Sequence, residues 1–213
     1  RRRHEAHHPV CHGTHAGRKL SPRAVGLFAD ERIGHKIGRN KPKDMSRILM
    51  IGAGGCSYPR YLVAHHPEVS CDALEIDPKI AALARSHFFV DEAIRESNNR
   101  LQLQIADGVE YIKSLSTSNN KHYDAILNDC FIGEAPPAAM MTVEWMSLVA
   151  QCLTPGGRYL TNVVSAQVGE DAHQLEALID AARMAFEQVE VVPLDPETDP
   201  TEPDNLMLVC QRA

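Results

Sequence analysis

Short apolar runs alternate with amphipathic segments from residue 46 to the end of the chain. The first run, at residues 47–51, is continuous and ends at glycines, which is typical of a strand buried on both faces of a parallel sheet. Further strands are predicted at residues 71–76, 123–128 and 158–163, and at residues 101–105, where apolar and polar residues alternate. Residues 189–194 and 206–210 are predicted to form a closing hairpin.

Amphipathic helices are predicted between these runs, at residues 58–65, 78–88, 108–115, 143–153 and 175–186. Pro78 suits the first turn of its helix, and Ile80, Leu83, Ala84 and Phe88 share one helical face. Alternating strands and helices predict an α/β fold: a doubly wound, mostly parallel sheet with right-handed crossovers and helices on both faces. We expect one domain at residues 46–213, preceded by a partly disordered N-terminal extension at residues 1–45.

Composition narrows the function classes. The 213 residues are 44% hydrophobic and 23% charged, with a formal net charge of −6, which argues against a nucleic-acid partner. The absence of an apolar run of about 20 residues argues against a membrane protein. Six cysteines without a C-x-x-C pair favour reduced thiols, and the N-terminus has no signal-peptide pattern, so we expect a cytoplasmic protein. A homodimer is compatible with the sequence but not required by it.

Five histidines surround Cys11 near the start of the chain. Such a cluster can hold a metal ion, but its spacing fits no fixed-ligand motif. A disordered tail is the favoured interpretation, and we expect no metal site.

Polar and glycine residues stand where the predicted strands end, which is the ligand-binding edge of a doubly wound sheet. The first strand leads into a glycine-rich turn, which lets a ligand approach the backbone and is also what a sharp strand-to-helix turn needs. The second ends at Glu75, about 20 residues past the first glycine, where a carboxylate holds a ribose diol. Capping of the next helix is the alternative, but Asp77 already suits that role.

The next two strand ends carry aspartates. Asp107 can accept a proton from an adenine amino group, with Gly108 leaving room for the ring, or it can cap the following helix. Asp129 is placed to act as a general base or to orient a cationic nucleophile, or it is a structural carboxylate. The expected cofactor-binding residues are Gly52, Ala53, Gly54, Glu75, Ile76, Asp107, Gly108 and Asn128, and the expected catalytic residue is Asp129.

Together these positions favour a mononucleoside cofactor. A dinucleotide-binding G-x-G-x-x-G turn would carry glycine or alanine at the position of Ser57. A nicotinamide-dependent oxidoreductase is therefore the last of our alternatives.

Five stretches resemble the spermidine synthase family, and in particular its short bacterial branch. They are I-G-A-G-G-C-S-Y-P-R-Y-L at 51–62, E-I-D at 75–77, A-D-G at 106–108, Y-D-A-I-L-N-D at 123–129, and T-V-E-W at 142–145 leading to L-T-P-G-G at 153–157. The resemblance implies the class I methyltransferase fold, with seven strands and the last antiparallel. It also implies polyamine biosynthesis, ribose binding by Glu75, adenine binding by Asp107 and deprotonation of an attacking amine by Asp129.

Two departures bear on the activity that this resemblance implies. The family's G-G-G-D-G-G turn has its aspartate where this chain has Gly55, and that aspartate faces the aminopropyl ammonium of decarboxylated S-adenosylmethionine. A second, polyamine-binding aspartate is replaced by Ile132. A dication bound in a pocket needs both carboxylates, because an unpaired buried charge is costly.

We therefore expect a transferase that binds S-adenosylmethionine or its decarboxylated form and moves a methyl or aminopropyl group to a small-molecule acceptor. The alternatives are an S-adenosylmethionine-dependent methyltransferase proper and a non-catalytic module that binds the nucleoside cofactor. Residues 131–141 form either the acceptor wall or an ordinary connection.

Overall fold

The computed structural model describes residues 46–118, 122–133 and 136–213. Within these ranges seven strands alternate with six α-helices along the chain. In chain order they are β1 (Arg47–Ile51), α1 (Ser57–His65), β2 (Ser70–Glu75), α2 (Pro78–His87), α3 (Val90–Glu96), β3 (Leu101–Ile105), α4 (Gly108–Ser116), β4 (Tyr123–Asn128), α5 (Val143–Cys152), β5 (Leu153–Ser165), α6 (His173–Arg183), β6 (Gln188–Pro193) and β7 (Asp204–Gln211). The predicted extension and its histidines lie outside the described residues.

The strands form one sheet in the order β3-β2-β1-β4-β5-β7-β6. Pairing is parallel from β3 to β5, whereas β7 runs antiparallel to both of its neighbours. The expected doubly wound, mostly parallel α/β sheet and its closing hairpin are therefore confirmed. The strand order reverses between β1 and β4, and this is the point where such sheets bind ligands.

Two apolar cores lie on opposite faces of the sheet. One joins β1 to the buried sides of α1, α2 and α3, and the other joins β1 to α4, α5 and α6. Because β1 faces both cores, its residues from Ile48 to Ile51 are all buried. This explains the continuous apolar run with which the chain's regular pattern begins.

Three local features differ from the predictions. Of the four residues predicted to share one face of α2, only Ala84 is buried; Ile80, Leu83 and Phe88 are exposed, and Ala81 packs into the core beside Ala84. The predicted helix 143–153 ends at Cys152, because Leu153 already pairs with Tyr123 of β4.

Between Leu153 and Arg158, β5 bulges, and the register with β4 shifts. Gly156 supplies the left-handed conformation there, with φ of +74°. The third difference is α3, which the pattern did not predict.

Among the described residues, no helix has both the length and the apolarity to cross a bilayer.

Candidate functional site

The glycine-rich turn after β1 lies where the ends of three strands meet. Gly52 and Ala53 both donate their N–H groups to the carbonyl oxygen of Leu74 in β2, at 3.0 and 2.9 Å. Gly52 has φ of +83°, and a Cβ added to it would lie 2.8 Å from the carbonyl oxygen of Asp129 after β4. The turn is therefore packed against both neighbouring strand ends at the point where the strand order reverses.

Glu75 fastens this turn to the end of β2. Its side chain is buried, with 8% exposed, and Oε2 accepts the N–H of Gly54 at 2.9 Å while Oε1 accepts the N–H of Asp77 at 3.0 Å. Asp77 caps α2 by accepting from Lys79, as predicted. A carboxylate has about four acceptor positions, so Glu75 has capacity for a ligand diol besides its two backbone partners.

An apolar surface adjoins Glu75. Ile76 follows it and is 65% exposed, and Ile105, which pairs with Glu75 at the end of β3, is 61% exposed. Two exposed isoleucines beside a buried carboxylate suit a flat, apolar ring next to a polar sugar. We had not singled out Ile105, although its place at the last position of its strand was the available signal.

Asp107 and Gly108 have structural roles at the start of α4. Oδ1 of Asp107 accepts from the backbone of Val109 at 2.7 Å and of Glu110 at 3.3 Å, so the helix-cap alternative describes its contacts. A Cβ on Gly108 would lie 2.3 Å from Cγ2 of Ile51, so this glycine makes room for the core and not for a ligand ring. Asp107 is exposed, and its carboxylate still lies at the ligand-binding edge.

Asn128 is directed into the core and not toward the crevice. Its Nδ2 donates to the hydroxyls of Tyr159 at 3.1 Å and Thr161 at 3.2 Å, and its Oδ1 accepts the N–H of Cys130 at 3.2 Å. Trp145 also donates to the Tyr159 hydroxyl. The buried amide therefore has no exposed atom for the cofactor contact that we expected, and it holds the loop after β4 instead.

Asp129 lies on that loop, directly beside the turn. Its N–H donates to the carbonyl oxygen of Ile51, and its Oδ1 accepts from Nδ2 of Asn162, both at 3.0 Å. Burial raises the pKa of the Asp129 carboxyl, and the hydrogen bond from Asn162 opposes that shift. A partly desolvated carboxyl of this kind is suited to exchange a proton with a reacting group.

An open cavity of about 550 Å³ begins at Asp129. Its lining alternates polar and apolar side chains and comprises Asp129, Phe131, Gly133, Asn162, Val164 and Asn205. This volume is sufficient for the reacting part of a second substrate next to the cofactor crevice. Of the predicted acceptor wall at residues 131–141, Phe131 and Gly133 thus line the cavity, whereas residues 134–135 lie outside the described residues.

Negative charge accumulates along the crevice. Burial raises the pKa of the Cys130 thiol to about 12, and the charges of Glu75, Asp129 and Asp107 contribute to this shift. Cys130 is thus a neutral thiol near three carboxylates. Their combined field favours a cationic ligand. Among the described residues, no group of three or more His, Cys, Asp or Glu side chains is arranged to hold a metal ion.

The N-terminus of α1 has the opposite character. Cys56 is its N-cap residue, in the left-handed region with φ of +56°, and its side chain makes no capping hydrogen bond. Among the described residues, the first turn of α1 contains no acidic side chain. Such a helix start carries a partial positive charge that stabilises a nearby anionic group.

The turn allows a matched comparison of two glycines. Gly52→Ala should weaken binding of the cofactor by at least tenfold and lower the melting temperature, because its Cβ would overlap the carbonyl of Asp129 in a left-handed conformation. Gly54→Ala should cost only about 1 kcal/mol of stability, since nothing lies within 4 Å of its Cβ position. Calorimetric titration and thermal melting of both variants test this, and equal effects would contradict the packing argument.

Residues 27–199 match the family described as spermine/spermidine synthase domain. Among curated proteins, the human eEF1A lysine and N-terminal methyltransferase is 32% identical over 130 residues, which cover 57% of this chain and 18% of that protein. The polyamine aminopropyltransferase of Vibrio vulnificus is 34% identical over 119 residues, which cover 56% of this chain and 38% of that protein. The match thus spans well under half the length of either relative.

Among solved structures, human methyltransferase-like protein 13 in complex with SAH superposes with a TM-score of 0.69 and 26% identity. The superposition covers 84% of this chain and 79% of that one. A probable spermidine synthase from Corynebacterium glutamicum gives a TM-score of 0.65 at 24% identity, covering 78% of this chain and 56% of that one. The family match starts within the segment that we assigned to the extension, so the boundary at residue 46 stays a prediction.

Proposed function

Because the chain belongs to the spermine/spermidine synthase domain family, we propose that its crevice binds S-adenosylmethionine and that it transfers the methyl group to an amine. Glu75 holds the ribose hydroxyls, and the exposed isoleucines Ile76 and Ile105 flank the adenine. Asp107 uses Oδ1 to cap α4, and its other carboxylate oxygen accepts a hydrogen bond from the adenine amino group.

The choice between the two cofactors rests on the start of α1. S-adenosylmethionine carries a carboxylate that its decarboxylated form lacks. The uncapped N-terminus of α1, without an acidic side chain in its first turn, favours that carboxylate. Gly55 has no side chain to pair with the ammonium of an aminopropyl group. This start of α1 is the observation that carries the proposal.

The chemistry proposed for this chain's own residues is positioning and proton transfer. Bound S-adenosylmethionine would supply an electrophilic methyl group and a neutral thioether as leaving group, and Asp129 would take up the proton that the acceptor amine loses. The cofactor supplies the leaving group, so the protein contributes mainly alignment. The name of the human relative, a lysine and N-terminal methyltransferase, supports an amine acceptor.

Isothermal titration calorimetry with three ligands tests the cofactor assignment. S-adenosylmethionine should bind at least tenfold more tightly than decarboxylated S-adenosylmethionine, with methylthioadenosine between them or weaker, because only the first offers a carboxylate to α1. Tighter binding of the decarboxylated form would contradict the proposal. The absence of heat with all three at millimolar concentration would refute an adenosine cofactor altogether.

Aminopropyl transfer is the second candidate. It is supported by the bacterial aminopropyltransferase relative and by Asp129 at the mouth of the cavity. Ile132 counts against it, because an isoleucine that is 75% exposed takes the place of the family's second polyamine-binding carboxylate. Incubation with decarboxylated S-adenosylmethionine and putrescine, followed by mass spectrometry for spermidine, distinguishes the two activities.

A further inference from the structure

The loop between β6 and β7 is strongly acidic. Residues 195–204 contain five carboxylates and no lysine, arginine or histidine. Four of them, Asp195, Glu197, Asp199 and Glu202, are exposed. We refer to residues 195–204 as the acidic rim. Because β6 runs parallel to β1, the rim follows the carboxyl end of β6 and stands on the ligand-binding edge of the sheet.

Backbone contacts fix the rim at the mouth of the acceptor cavity. The carbonyl oxygen of Pro200 accepts the N–H groups of Gln167 and Val168, which follow β5, at 2.8 and 3.1 Å. Directly below, Val164 pairs with Asn205, and both residues line the cavity. The rim is therefore continuous with the wall of the cavity that begins at Asp129.

A buried acceptor in the same cavity points to a ligand that donates hydrogen bonds. Asn162 lines the cavity and is only 4% exposed; its Nδ2 donates to Asp129, but its Oδ1 is buried and has no hydrogen-bond partner among the described residues. An unsatisfied buried acceptor costs about 1–3 kcal/mol. A donor that enters beside Asp129 would satisfy it, and an ammonium or amine has the required N–H groups.

We propose that the acidic rim seats a lysine- or arginine-rich protein segment, whose amine then enters the cavity toward Asp129 and Asn162. This inference rests on the proposed amine methylation and names its substrate class. Charges spread over ten residues match a basic polypeptide better than a diamine, which carries only two. Ile132, between the lining residues Phe131 and Gly133, is an exposed apolar side chain where a free polyamine would need a second carboxylate.

Variants that replace glutamate by glutamine remove charge from the acidic rim without disturbing its turns. Glu197→Gln together with Glu202→Gln leaves the side-chain hydrogen bonds of Asp195 and Asp199 in place. Glu68→Gln together with Glu187→Gln removes the same charge from exposed positions that precede β2 and β6, at the opposite edge of the sheet. The probe is a fluorescein-labelled peptide of ten residues, rich in lysine and arginine, followed by anisotropy at low salt.

The rim variant should bind this peptide about fivefold more weakly than the wild type, and the difference should shrink at high salt, where exposed charges are screened. The control variant should stay within about twofold. Equal affinities of the two variants would overturn the proposal. Displacement of the peptide by putrescine at equal concentration would also overturn it, in favour of a free polyamine. Calorimetry with S-adenosylmethionine on the rim variant separates the two hypotheses, since unchanged cofactor binding leaves the proposed function standing.

Discussion

Asp129→Asn should lower turnover by on the order of 10²–10⁴-fold while leaving the affinity for S-adenosylmethionine within about twofold. The amide cannot take up the amine's proton, but it keeps an oxygen to accept the hydrogen bond from Asn162. The measurement is a steady-state assay of methyl transfer beside calorimetric titration of the cofactor. Asp180→Asn, which changes an exposed residue of α6, is the control and should leave both quantities unchanged.

The pH dependence follows from the raised pKa of Asp129, whose main cause is burial. The base form is populated only above that pKa, so the wild-type rate should increase as the pH rises through it, and the variant should lose this dependence. The contribution of this carboxyl to stability changes with pH in the opposite direction to the rate. The folded state holds the proton more tightly than the unfolded state, so this carboxyl stabilises the fold below its unfolded pKa and loses that contribution as the pH rises through the folded value.

At neutral pH, Asp129→Asn should therefore leave the melting temperature unchanged or raise it slightly. A variant that unfolds would show that Asp129 is structural. A variant that folds, binds cofactor and turns over normally would show that another group accepts the proton.

The order of elements was predictable from the sequence because each parallel strand is a short apolar or alternating segment with a distinct ending. The run that forms β1 is apolar at every position from Ile48 to Ile51, which places it between two cores. Gly52, Glu75 and Asp129 were correctly located at strand ends, since that location depends only on where each run stops. Parallel strands bring their carboxyl ends to one edge, so these residues had to meet.

Side-chain direction was not predictable in the same way. Asn128 is also at a strand end, but its side chain points into the core, where it donates hydrogen bonds to the hydroxyls of Tyr159 and Thr161 in the neighbouring strand. Those partners are more than 30 residues away in sequence. Gly108 likewise stands in a sequence that resembles a turn, but a glycine is needed there because Ile51 approaches its backbone closely. Contacts across the sheet decide such positions, and hydrophobic periodicity carries no information about them.

The start of α3 illustrates a missing local signal. Its N-cap residue, Phe89, is in the left-handed region with φ of +58°, a conformation usually assigned to glycine or asparagine. The exposed Phe88 next to it packs within 3.6 Å of the Cβ position of Gly55. Because a sequence-based prediction requires glycine or asparagine at such a position, the pair Phe88 and Phe89 gives no local signal for the start of this helix.

Glu75→Gln should weaken binding of S-adenosylmethionine and of methylthioadenosine by about 100-fold each. The carboxylate is proposed to accept both ribose hydroxyls, and charge-assisted hydrogen bonds contribute roughly 1.5–3 kcal/mol each. Both ligands contain the ribose, so both should lose affinity by the same factor. A loss confined to S-adenosylmethionine would place Glu75 at the amino-acid end of the ligand and would contradict this assignment.

The same substitution should also destabilise the protein, because both oxygens of Glu75 have backbone donors. A glutamine has one acceptor oxygen, so the N–H of Gly54 or of Asp77 would face an amide nitrogen, at a cost of about 1–3 kcal/mol. Asp77→Asn is the matched control: it keeps an oxygen for the cap of α2 and does not contact the turn, so melting and cofactor binding should change little. Denaturant titration of both variants gives the free energies of unfolding. If Glu75→Gln proves as stable as Asp77→Asn and binds cofactor within threefold of the wild type, neither the turn nor the ribose depends on this carboxylate.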